Sequence, residues 1–193
     1  MIDKRRKLIF VHVPRTGGSS IEISFNIGIQ TLERNNTIGS FHDKHWRASA
    51  YKTANPREWD RFFKFSLVRN PWDRVISLYE WLKMHKTHPQ RTTDSFKDWL
   101  LSITPNCNSY KTQSWYLNET LDFVGRYENL HKDWSYLVSN AFPLDAPSAP
   151  LPHINKTQRH GVYHDAETID FVGNYYREDI DSYGYEPPSL PNF

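Results

Sequence analysis

Arg15, with Gly17 and Gly18 just beyond it, is the first place where residue type and spacing could do chemistry. Residues 9–21 form an apolar run that breaks into Pro14-Arg15-Thr16-Gly17-Gly18-Ser19-Ser20. That order predicts a buried strand, a glycine turn and the first turn of a helix. Backbone N–H groups at such a junction point outward unpaired, and the helix dipole adds partial positive charge there. The glycines let the backbone approach a ligand with no Cβ in the way, and Arg15 adds a full charge. The chemistry that fits is anion binding, of phosphate or sulfate. The plainer reading of the same letters is a tight turn with a helix cap.

A second junction repeats the pattern. Residues 65–68 are an apolar strand ending in Arg69, followed by Asn70, Pro71 and a helix that carries Arg74 and Ser77. Proline suits a helix start because its missing N–H would be unpaired there, and Asn70 is a suitable N-cap. Ser77 lies about two helical turns beyond Arg69, so the two converge only if the chain folds Arg69 back over that helix. The plainer reading pairs Arg69 and Arg74 with Asp73 or with surface carboxylates.

Taken together, the two junctions resemble those of sulfotransferases that use 3′-phosphoadenosine 5′-phosphosulfate (PAPS). Pro14 to Ser20 resembles their 5′-phosphosulfate loop, and Arg69-Asn70-Pro71-Trp72-Asp73-Arg74-Val75-Ile76-Ser77-Leu78-Tyr79 resembles their 3′-phosphate motif. The pattern is similar to that of carbohydrate O-sulfotransferases, including the heparan sulfate 2-O-sulfotransferase type and compact bacterial members. It extends from residue 9 to about residue 185. Val124-Gly125-Arg126-Tyr127-Glu128-Asn129-Leu130, Leu151-Pro152-His153-Ile154-Asn155-Lys156-Thr157 and Gln113-Ser114-Trp115-Tyr116-Leu117 resemble later family segments. The family loop usually carries lysine where this chain has Arg15, which keeps the charge but presents a planar fork.

The resemblance implies a P-loop-NTPase-like fold, a central parallel sheet flanked by helices, and transfer of a sulfonate group from PAPS to an acceptor hydroxyl on a carbohydrate or small molecule. It puts Pro14, Arg15, Thr16, Gly17, Gly18, Ser19 and Ser20 on the 5′-phosphosulfate and Arg69 and Ser77 on the 3′-phosphate. Arg15 would also stabilise the leaving phosphate. Lys156 and Arg159, in a late basic segment, either close over the nucleotide or form a solvated charge run. The acceptor must lose a proton, and histidine is suited to accept it near neutral pH. Of nine histidines, His45 lies between the two donor motifs, the interval in which the family carries a catalytic histidine. His42 is the alternate, and Asp43 could orient either ring. No metal is implied: His42 with His45, and His85 with His88, lack the carboxylate or cysteine partners of a metal site.

The elements that must position these residues alternate between strand and helix. Strands are predicted at residues 8–13, 65–68 and 121–124. Helices are predicted at 19–29, 71–84, 94–103 with Asp94 as a cap, 129–140 and 166–183. Four prolines make residues 143–152 an irregular loop. This is a doubly wound α/β order with ligands at strand C-termini. With 193 residues the simplest organisation is one domain over 1–193, its residues 186–193 a surface tail. A net charge of +2 gives no basis for nucleic-acid binding. Lys4-Arg5-Arg6-Lys7 reads as a solvated lead-in to the first strand. No apolar stretch is long enough for a membrane span or a signal peptide, so the chain reads as soluble, with no membrane partner. A single cysteine, Cys107, fits a reducing cytoplasm. The N-x-Thr triplets at Asn35, Asn118 and Asn155 read as ordinary polar residues, and nothing in the sequence sets an oligomeric state.

Aromatic residues make up 15% of the chain, enough that most must be core. Trp46, Trp115 and Tyr116 are candidates to stack on a sugar. Acceptor contacts are expected within residues 30–61 and 86–114. Two other classes compete with the transferase. A kinase would need Gly-x-x-x-x-Gly-Lys-Ser/Thr, and residues 15–20 have neither the spacing nor the lysine. A non-catalytic nucleotide-binding module draws support from Arg15 in the lysine position, against which stand His45 and both phosphate motifs.

Overall fold

The computed structural model describes residues 1–25, 45–85, 92–103, 110–141, 151 and 163–190. The chain divides into two compact units: Met1–Val68 with Trp115–Asn155, and Arg69–Ser114 with Lys156–Phe193.

The first unit is built on a four-stranded sheet in the order β1 (Ile2–Asp3), β2 (Leu8–Val11), β3 (Phe63–Val68), β4 (Phe123–Arg126). β1 runs antiparallel to β2, while β2, β3 and β4 are parallel, with Phe10 opposite Phe65 and Phe65 opposite Phe123. Side chains alternate across a strand, so an all-apolar β2 must bury both faces. Leu8 and Phe10 pack with Phe65 and Leu67 against Ile21 of α1 (Gly18–Ser24), Phe25, and Trp134 and Leu137 of the helix at Leu130–Ala141. Ile9 and Val11 point the other way, onto Ala48 and Tyr51 of α2 (Ala48–Ala54) and Trp59 of α3 (Pro56–Arg61). Each such buried side chain contributes about 1.5–3 kcal/mol. An exposed pair such as Lys52–Glu119 contributes about 0–1 kcal/mol, so the two-sided core dominates. The predicted α/β class with a mostly parallel, helix-flanked sheet is what the chain forms.

The basic cluster leads into β2 with Lys4, Arg5 and Lys7 exposed, as expected, and forms the turn that joins β1 to it. Asp3 accepts from the backbone N–H groups of Arg5 and Arg6 at 2.9 and 3.0 Å and from the Arg6 guanidinium at 2.7 Å, closing the β1–β2 hairpin. Burial pushes the Asp3 carboxyl up, but these donors outweigh it and hold it below the usual range.

In the second unit, α4 (Pro71–Met84) has the predicted bounds, and the Asn70 side chain accepts from the Trp72 N–H at 3.0 Å. α5 (Phe96–Ser102) is capped by Ser95, one residue later than the expected Asp94. At α6 (Gln113–Tyr116) the chain passes back to the sheet unit and on to β4 and α7 (Leu130–Ala141). The predicted final helix is two: α8 (Ala166–Tyr175), opened by an Asp165–Thr168 capping box, and α9 (Arg177–Tyr183), separated at Tyr176. The buried rings of Tyr79, Phe96 and Trp99 pack on one another in this unit, with half-buried Tyr163 against Tyr79 and Phe96, at centroid distances of 5.2–6.4 Å. Among the described residues, no helix is long and apolar enough to cross a membrane. Residues 26–29 of the predicted first helix, and the proline loop except Leu151, lie outside them.

Candidate active site

In the sheet unit, β2 runs into the glycine loop and then into α1, as the sequence predicts. Arg15 and Gly17 both take left-handed backbone conformations, with φ of 68° and 86°. Such a conformation is strained for arginine and easy for glycine. Thr16 between them is fully buried, and its hydroxyl donates to the Val13 carbonyl at 2.9 Å. No side chain caps α1 at Gly17. A Cβ on Gly18 would stand 2.3 Å from the His12 ring, and one on Gly17 would meet Tyr127 at 3.0 Å. The loop can therefore present only backbone at these two positions, which is what close approach of an anion needs.

The residue behind this loop is one that sequence reasoning passes over. His12 is buried, its Nδ1 lies 2.7 Å from Glu22 Oε1, and its ring stacks on Phe10. In sequence it reads as one more letter of a buried strand. Its only signal is a titratable ring directly before a glycine loop, with an acidic residue one turn into the helix that follows.

His45 is tied to the same residue. Its Nδ1 donates to the His12 carbonyl at 2.9 Å, and the two rings meet edge to face with centroids 4.5 Å apart. A neutral imidazole with its proton on Nδ1 carries its lone pair on Nε2. His45 is thus oriented, with Nδ1 as the donor, by the residue two before Pro14. Among the stacking candidates, Tyr116 is fully buried and has no face for a sugar. Trp46 packs on Tyr51, and the Arg47 guanidinium lies 4.8 Å over the Trp115 ring.

In the second unit, Arg69, Arg74 and Ser77 are all buried. The Arg69 backbone is held by Gln113. Arg74 supports the fold of this unit, because its guanidinium donates to the Lys111 carbonyl at 3.0 Å and lies over the Tyr176 ring. Burial drives the Tyr176 phenol well above its usual range, with Arg74 opposing the shift. His42, Lys156 and Arg159 lie outside the described residues. Among the described residues, no group of three or more His, Cys, Asp or Glu is arranged to hold a metal ion.

Comparison with known families matches residues 1–186 to the model of the Sulfotransferase family. No curated protein matches the chain. The family's fold is P-loop-like, in keeping with a parallel sheet whose strand opens into a glycine loop and a helix. A match over that length makes the chain a member of the sulfotransferase family, whose enzymes move a sulfonate group and generally take it from PAPS.

Proposed function

We propose that this chain transfers the sulfonate of PAPS to a hydroxyl of a carbohydrate acceptor, with His45 as general base. The observation that carries the reading is the bond from His45 Nδ1 to the His12 carbonyl, beside a loop whose two glycines admit only backbone. The loop fits the group: Gly17 and Gly18 leave the anion room, and Arg15 brings the charge.

His45 Nε2 takes the proton of the acceptor hydroxyl as its oxygen attacks sulfur. The bond from sulfur to the bridging phosphate oxygen breaks, and the electron pair leaves with adenosine 3′,5′-bisphosphate (PAP). Arg15 and the backbone N–H groups of residues 16–20 stabilise that leaving phosphate, with the Ser19 and Ser20 hydroxyls beside them, while the Thr16 hydroxyl is committed to the Val13 carbonyl and holds the loop instead. Loss of one such charge or donor costs about 3–4 kcal/mol of transition-state stabilisation. Arg69 and Ser77 hold the 3′-phosphate, for which a guanidinium fork is well shaped. Lys156 and Arg159 add charge to the nucleotide.

His45→Ala is expected to lower kcat at least about a hundredfold while Kd for PAP stays within about twofold. Single-turnover kinetics and calorimetry measure the two. Retained turnover would remove His45 from the mechanism.

A further inference from the structure

We propose that Gln113 is a positioning residue for recognition of the donor's 3′-phosphate, acting through the backbone of Arg69. Its side-chain amide makes both hydrogen bonds open to that backbone. Gln113 Oε1 accepts from the Arg69 N–H at 2.8 Å, and Gln113 Nε2 donates to the Arg69 carbonyl at 2.8 Å. The Arg69 N–H can only donate and its carbonyl can only accept, so the amide has one workable orientation. β3 ends its ladder one residue earlier, where Val68 pairs with Arg126. Gln113 thus supplies to Arg69 what a neighbouring strand would, at the residue where the chain leaves the sheet for α4.

The glutamine is itself pinned. Asp179, in the first turn of α9, accepts from the backbone N–H groups of Gln113 and Ser114 at 2.8 Å each and from the Ser114 hydroxyl at 3.1 Å. Gln113 and Asp179 are both 0% exposed, and the bonds between them and from Gln113 to Arg69 are buried, while those to Ser114 are partly so. A carboxylate fixes a backbone, whose side chain fixes the backbone of the arginine. The arrangement sets the direction from which the Arg69 side chain departs, which a guanidinium fork needs if both of its N–H groups are to meet a phosphate. A primary amide of this length presents a donor and an acceptor side by side; Leu lacks both and an ionised Glu lacks the donor.

The inference rests on Arg69 binding the 3′-phosphate, and the experiment separates the two. Calorimetric Kd values for PAP and for adenosine 5′-phosphate are measured on the full chain and on Arg69→Ala, Gln113→Leu and Gln113→Glu. Gln113→Leu should weaken PAP binding by about tenfold, a 1.4 kcal/mol difference, with adenosine 5′-phosphate unchanged. Gln113→Glu keeps the bond from the Arg69 N–H but sets an oxygen against its carbonyl, and should also lower the ratio of the two affinities. A residue that merely supports the fold would lower the melting temperature and both affinities together. If Arg69→Ala lowers the ratio and folded Gln113→Leu does not, Gln113 is not a positioning residue. If Arg69→Ala itself leaves the ratio unchanged, the 3′-phosphate reading fails and the inference falls with it. Should Gln113→Leu not fold, Gln113→Glu decides by the same ratio. Loss of folding in both makes Gln113 structural and overturns the proposal.

Discussion

Gly18 and His12 occupy one another's space, and that fit can be tested with a single methyl group. A Cβ at residue 18 would stand 2.3–2.9 Å from three atoms of a ring that is itself buried and hydrogen-bonded to Glu22. The ring cannot swing away without breaking that bond. Alanine gains about 1 kcal/mol over glycine in helix propensity, but overpacking a buried site costs about 1–3 kcal/mol. Gly18→Ala is therefore expected to lose stability by up to about 2 kcal/mol in urea unfolding, and to weaken PAP binding as the loop shifts. Gly18→Ala should cost less in a His12→Ala background than in the parent, since the added methyl then meets no ring, and a double-mutant cycle reads the difference. A Gly18→Ala protein as stable as the parent would mean that this contact is not what excludes a side chain there.

At the scale of elements, the start of α8 carries a pH dependence. Asp165 accepts from the Thr168 N–H at 2.9 Å and is paired with Lys97 at 2.8 Å. The Lys97 ammonium first, then the Thr168 N–H and hydroxyl, hold the Asp165 carboxyl far below the usual range. Its folded value lies below the unfolded one, so its contribution is complete above about pH 4 and fades as pH falls further. Asp165→Ala should cost about 1 kcal/mol at pH 7 through the lost cap. The gap between parent and variant should narrow in melts near pH 3. A gap that stays constant would mean that the charge on Asp165 is not what stabilises this helix start. The same element shows where reading by periodicity stops. Apolar spacing runs on through residues 166–183, yet Tyr176 breaks the helix, and the second piece places Asp179 against Gln113 and Ser114. α2 and α3 are six or seven residues long and divided by Asn55 and Pro56, too short for a 3.6-residue period to stand out.

On the scale of the whole molecule, the proposed donor has two charged ends, the phosphosulfate assigned to residues 14–20 and the 3′-phosphate assigned to Arg69 and Ser77. PAP at a hundred times its Kd should stabilise the folded chain by about 2.7 kcal/mol, without magnesium. Amide exchange should slow in the 12–20 loop and around Arg69 and Ser77. No slowing at one of these two segments, or a preference for magnesium-ATP, would break the donor assignment. What the sequence determined by itself is local: the strand–glycine–helix junction and the Asn70–Pro71 start of α4. Glycine and proline act through their own backbone freedom, and a cap acts within one turn, so their consequences can be read in order along the chain. The tertiary structure alone decided which polar groups meet. His45 reaches the His12 carbonyl across 33 residues, Gln113 reaches Arg69 across 44, and Asp179 reaches Gln113 across 66. An imidazole, an amide or a carboxylate has the same letter whether it faces water or a buried backbone. Only packing, which removes the water and supplies the one partner in reach, gives each of them its role.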